Sequence, residues 1–272
     1  MTSLSTPPSG VVGDRAEPDD RYRLEWGPHG LRTLASTCEV IVLVDVLWFS
    51  TIISLVAEAG AVSILDRRHE PSGEAAAASP SELFDIALGA GRDQRLVIPD
   101  PNHAVMALAA ADYGARHVVA GCLRNARATA ALIDHLAGPD AGVGLVVIGE
   151  RWRHRTGPLR PAVEDLLGAG AIIAAFDPSA AVGGTRSSPE AAAARAAYLD
   201  ARPLMTDALL RSTTARMQRQ LRQTDSGDDT SHDGHDPAED LIMLASAVDV
   251  TDTAALLIDG AFHPVDTTAL RP

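Results

Sequence analysis

Lysine is absent from this chain. All 23 basic residues are arginine, set against 36 acidic ones, for a formal charge of −13 over 272 residues. Without lysine there is no Walker-type phosphate loop and no Schiff-base chemistry of the pyridoxal kind. The acidic excess opposes long-range attraction to nucleic acid or to an anionic membrane. Aromatic residues make up only 4%, too few for a base-stacking platform. The two cysteines, Cys38 and Cys122, cannot form a zinc cluster by themselves. With no apolar run of bilayer length and no recognisable signal peptide, the chain reads as a reduced, cytoplasmic protein with no nucleic-acid or membrane partner. A homo-oligomer is compatible with this composition.

What is present is an alanine-rich apolar chain, 46% hydrophobic, ample for a large core. Residues 1–21, rich in Pro, Ser, Asp and Gly, predict a disordered tail. Short β-branched runs predict strands over 39–47, 61–65, 95–98, 117–120 and 144–148, separated by alanine-rich helical stretches. That alternation predicts one α/β domain over 22–266, with a mainly parallel sheet and helices on both faces. Residues 161–176 and 189–222 add a helical C-terminal segment. The polar, acidic tract 224–236 predicts a flexible loop, followed by a helix over 238–247 and a hairpin turned by Asp259-Gly260.

In open α/β sheets, ligands bind outside the carboxyl ends of the parallel strands. Polar residues cluster there: Asp45, Asn102, Arg124-Asn125 and Glu150-Arg151. Carboxylates, amides and guanidiniums on one edge suit a small anionic phosphorylated substrate and a hard cation. Strand ends that meet water carry polar residues in any case. Asp45, closing a buried strand, is the sharpest position, as metal ligand or as nucleophile. A haloacid-dehalogenase site would need a second Asp two residues on, where Leu47 stands. Ser50 and Thr51 read either as phosphate ligands at a helix start or as an ordinary N-cap. Cys122 and Arg127 are one residue too close for a tyrosine-phosphatase loop, which leaves a structural thiol. Glu164 and Asp165 point roughly 100° apart on a helix, so the expectation is that at most one faces the sheet. His232, His235 and their neighbouring aspartates form an opportunistic metal tract, and Arg211, Arg216, Arg219 and Arg222 a solvated helix face.

Several segments occur in an order that resembles the 2-phosphosulfolactate phosphatase family (ComB). They are Val44-Asp45-Val46-Leu47 with Phe49-Ser50-Thr51, Pro101-Asn102, Gly121-Cys122-Leu123-Arg124-Asn125-Ala126 and Gly149-Glu150-Arg151-Trp152. The longest block runs from Leu159-Arg160-Pro161 through Glu164-Asp165 to Gly168-Ala169-Gly170-Ala171. The resemblance implies an α/β fold and Mg²⁺-dependent hydrolysis of 2-phosphosulfolactate to 3-sulfolactate and phosphate, a step of coenzyme M biosynthesis. It implies Asp45 with Glu164 or Asp165 around the metal and in catalysis. Arg124, Arg151 and Glu150 would meet the substrate, with Ser50, Thr51, Asn102 and Asn125 as hydrogen-bond partners. The chain departs from the family pattern at Trp48, an Arg position, and at Asn102-His103-Ala104, an Asn-Gly-Thr/Ser position. The second departure leaves open a member that binds anions without turnover, and a different phosphorylated substrate is a further alternative.

Overall fold

The computed structural model describes residues 20–65, 80–99, 101–152, 157–176, 186–225 and 237–270. The predicted tail, apart from Asp20 and Arg21, and the tract 226–236 with its two histidines lie outside the described residues.

In chain order the elements are β1 (Tyr22–Trp26), α1 (Gly27–Ala35), β2 (Val40–Val44), α2 (Phe49–Glu58), β3 (Val62–Leu65), α3 (Pro80–Leu88), β4 (Arg95–Ile98), α4 (Pro101–Asp112), β5 (His117–Gly121), α5 (Ala126–Leu136) and β6 (Val143–Val147). A small two-stranded pair follows, β7 (Glu150–Arg151) and β8 (Leu159–Arg160). Then come α6 (Val163–Phe176), α7 (Pro189–Ala201), α8 (Met205–Leu210), α9 (Thr213–Asp225), α10 (Pro237–Ser246), β9 (Thr253–Ile258) and β10 (Ala261–Asp266).

The main sheet has eight strands in the order β1-β6-β2-β5-β9-β10-β3-β4. β1, β6, β2 and β5 run parallel to one another, as do β3 and β4. The ladders β5–β9, β9–β10 and β10–β3 are antiparallel. This is the α/β fold with a mainly parallel sheet that the alternation of elements predicts. The terminal hairpin is inserted between β5 and β3, so β3 and β4 run opposite to β2 along the ladder. The strand ahead of Asn102 therefore runs opposite to β2, β5 and β6, and it is α4 after it that comes back toward the end of β2.

All five residues of β2 are fully buried, and the packing shows why. A Cβ on Gly144, registered against Ile41, would meet Leu34 of α1, whereas one on Gly121, registered against Val44, would meet Ile172 of α6. Ile41 and Val44 point to opposite sides of the sheet, so β2 is covered by α1 on one side and α6 on the other. A strand covered twice is apolar throughout, and each such Val, Leu or Ile contributes about 1.5–3 kcal/mol. Gly168 lets α6 approach closely, since a Cβ there would lie 2.6 Å from Val46. That approach brings the first turn of α6 against the loop after β2.

The helical stretch predicted over 189–222 is broken by a 3₁₀ turn at Arg202–Leu204. Pro203 has no N–H to continue an α-helix. At the hairpin, Asp259 and Gly260 both have positive φ, 49° and 79°, the backbone a type I′ turn requires.

Candidate functional site

The site is built around the carboxyl end of β2, where the chain leaves the core through Asp45, itself only 5% exposed. α2 starts one turn later, with Trp48 as its N-cap and no side-chain cap. Ser50 and Thr51 do not cap it. Ser50 Oγ accepts from Asp45 N at 3.1 Å and donates to Leu43 O at 3.0 Å, and Thr51 Oγ1 donates to Val46 O at 2.8 Å. Both hydroxyls thus hold the β2–α2 loop that presents Asp45. From α4, His103 Nε2 comes within 2.6 Å of Asp45 Oδ2, with its ring stacked 4.9 Å from that of Phe49.

Glu164 and Asp165 both turn out to be buried, 1% and 2% exposed, so neither meets solvent. Close packing of α6 encloses the whole first turn, and the angular offset instead gives the two carboxylates different neighbours. Asp165 Oδ1 accepts from Val46 N at 2.8 Å and Oδ2 from Gly149 N at 2.9 Å, tying together the loops after β2 and β6. Burial raises its pKa well above the carboxylate range, and the charges of Asp45 and Glu164 add to this against the two N–H groups. Neither carboxylate oxygen of Glu164 has a hydrogen bond of good geometry among the described residues. Burial raises its pKa too, opposed by the neighbouring Thr214 hydroxyl and the Arg160 charge, while Asp45 adds to the rise.

Glu150, just past β6, completes the acidic group. Burial first, and then the charge of Asp45, push its pKa up to about 7; His103, the Arg151 N–H and Arg160 pull the other way. Buried like charges close together raise one another's pKa unless a cation joins them.

The remaining predicted residues are used elsewhere. Arg124 donates through Nη2 to Glu58 Oε2 at 2.8 Å and through Nη1 to Leu244 O at 2.9 Å. Asn125, fully buried, accepts from Cys122 N at 2.9 Å and donates to Ala120 O at 3.2 Å. The loop after β5 is thereby a closed structural turn. Arg151 is exposed and donates to Gly157 O at 3.1 Å. Asn102 lies in the first turn of α4, and its side chain is outside the described residues. Cys38 and Cys122 are free, buried thiols whose pKa burial raises.

Two residues at the site are not among those singled out from sequence. His103 could have been noticed only as the departure from the Asn-Gly-Thr/Ser pattern. Arg160 stands in the longest block of the resemblance but is given no role there. It is 6% exposed, donates from Nη2 to Thr214 Oγ1 at 2.7 Å and lies 5.6 Å from the Trp152 ring centroid.

Among the described residues, no three of His, Cys, Asp or Glu form a ready-made metal cage. Mg²⁺ does not need one, since it is usually bound by one or two carboxylates while keeping waters or phosphate oxygens. The unfilled oxygens of buried Glu164 and the oxygen of Asp45 facing away from His103 fit that donor set. Asp165, with both oxygens on backbone N–H groups, fits it less well. No described helix is long and apolar enough to cross a membrane. The chain matches no protein-family model and no curated protein.

Proposed function

We propose that this chain is a phosphoric monoester hydrolase that uses Mg²⁺ and acts on a small phosphorylated acid, with 2-phosphosulfolactate as the substrate its sequence resemblance implies. The observation that supports this most is the buried acidic group at the end of β2 and β6, in which the Glu164 carboxylate has no hydrogen bond of good geometry among the described residues. A buried, unpartnered carboxylate beside another is costly unless a cation sits with it or it takes up a proton. Glu164 and Asp45 would hold Mg²⁺, which when bound offsets the negative charge on the phosphoryl oxygens.

His103 fixes the Asp45 carboxylate in orientation through the contact at Oδ2. Glu150, about half ionised near pH 7, has the pKa suited to accept the proton of an attacking water. Water adds at phosphorus, the ester P–O bond breaks, and the leaving alkoxide takes up a proton as the alcohol. Asp165 keeps the loops bearing Asp45 and Glu150 in register. The free buried thiols support a reducing, cytoplasmic setting.

A second reading, an anion-binding protein without turnover, is favoured by one observation: His103 occupies Asp45 Oδ2, where a cation could otherwise lie. Phosphate release from 2-phosphosulfolactate with and without Mg²⁺, by wild type and Asp45→Asn, separates the two. Metal-dependent release lost in Asp45→Asn supports the hydrolase. Absence of release by folded protein from this and related phosphorylated acids, with binding that needs no metal, supports the second reading.

A further inference from the structure

Arg160 is a buried guanidinium with unused capacity. Among the described residues, its Nε is enclosed and has no hydrogen-bond partner, and its Nη1 reaches Pro161 O alone, at 3.4 Å. It feels the charges of Glu150 and Glu164, yet forms no ion pair with either among the described residues. Glu164, its neighbour, likewise has no hydrogen bond of good geometry among the described residues. A buried carboxylate and a buried guanidinium free to approach one another would normally close into a bidentate pair. Here Thr214 holds Nη2 at 2.7 Å and the Trp152 ring lies alongside, so the fork is kept in place without its carboxylate. The other two arginines near the strand ends are unsuited: Arg124 is paired with Glu58, and Arg151 is exposed.

We propose that Arg160 is the specificity-determining residue of the site, binding one acidic group of the substrate other than its phosphate. The substrate class is then a phosphate monoester whose alcohol carries a carboxylate or sulfonate within reach of that fork. This inference rests on the proposed hydrolase activity and narrows its substrate.

The test uses two esters of nearly equal size, 2-phosphoglycolate and ethyl phosphate, hydrolysed by the full chain with Mg²⁺. Wild type should prefer 2-phosphoglycolate in kcat/KM. In Arg160→Met the ratio of the two kcat/KM values should fall about 10- to 100-fold, the worth of one charged hydrogen-bonded contact. An unchanged ratio overturns the assignment. If Arg160→Met does not fold, Arg160→Lys replaces it, because it keeps the charge but loses the fork and should also lower the ratio. If folded wild type hydrolyses neither ester, phosphate release from 2-phosphosulfolactate decides the hydrolase reading, and calorimetric titration with the same two esters separately decides the subsite. Tighter binding of 2-phosphoglycolate that Arg160→Met abolishes supports it; equal binding by wild type and variant overturns it.

Discussion

The loop after β5 and the loops after β2 and β6 read alike in the sequence, since each places polar residues just beyond an apolar parallel strand. In the structure they differ in kind. After β5, Asn125 uses both ends of its amide on the backbone of its own turn, and Arg124, whose Nε like that of Arg160 has no partner among the described residues, is ion-paired with Glu58 and bonded to Leu244 O. After β2 and β6, among the described residues, Glu164 lacks a well-aligned hydrogen bond, Arg160 has no ion-pair partner, and Glu150 is raised to about 7. A buried polar group whose bonding is complete holds structure together, whereas one left incomplete is waiting for a ligand or a proton. The same contrast divides two neighbours on α6, with Asp165 accepting a backbone N–H at each oxygen and Glu164 lacking a well-aligned hydrogen bond at either among the described residues.

The sharpest way to break this comparison is Glu164→Gln. The substitution removes a buried charge that lacks a partner, so thermal unfolding should occur at the same temperature or higher. Mg²⁺-dependent phosphate release should fall by about 100-fold or more, the scale seen when one electrostatic partner of a transition state is lost. A variant that loses stability and keeps its activity would make Glu164 a structural residue like Asp165.

The converse experiment is Asn125→Ala. It leaves the Cys122 N–H and the Ala120 carbonyl without their side-chain partner inside a fully buried turn, which should cost about 2–4 kcal/mol in urea denaturation. Activity of the remaining folded protein should change little. A large loss of kcat/KM at unchanged stability would return Asn125 to the substrate site that its position suggested.

Much of the fold was legible because it is driven by burial that leaves a mark in composition. β2 is apolar at every position, since it is covered on both sides, and Asp259-Gly260 marks the hairpin through the φ its turn demands. β1, with two charged residues in five, and the two-residue strands β7 and β8 carry no such mark. Nor does a local pattern reveal that the last hairpin enters the middle of the sheet and reverses β3 and β4. At the site, Asp45, Glu164 and Asp165 were legible as types of residue in suitable places. Their division of labour was not, because it depends on how closely α6 approaches the β2 loop. His103 and Arg160 reach the site through tertiary packing of α4 and β8, which spacing along the chain does not encode.

The smallest effect concerns pH, and it tests the incomplete side of the comparison without any substrate. Glu150 has an ordinary pKa of 4.5 that the fold raises to about 7. Below pH 4.5 its proton is bound in both the folded and the unfolded chain, and the folded state suffers no penalty. Between pH 4.5 and 7 the unfolded chain releases that proton first, so stability declines as pH rises, and above 7 the loss is complete. Glu164 and Asp165 shift in the same direction and steepen the decline. Urea denaturation of metal-free protein between pH 5 and 8 should therefore show falling stability, flattened in Glu150→Gln by on the order of 1 kcal/mol. Mg²⁺ should recover stability most at the upper end of that range, where the carboxylates are ionised and repel one another. A pH slope that Glu150→Gln leaves untouched would mean that this carboxylate is as well satisfied as those beyond β5, and the contrast between the two edges would not hold at this residue.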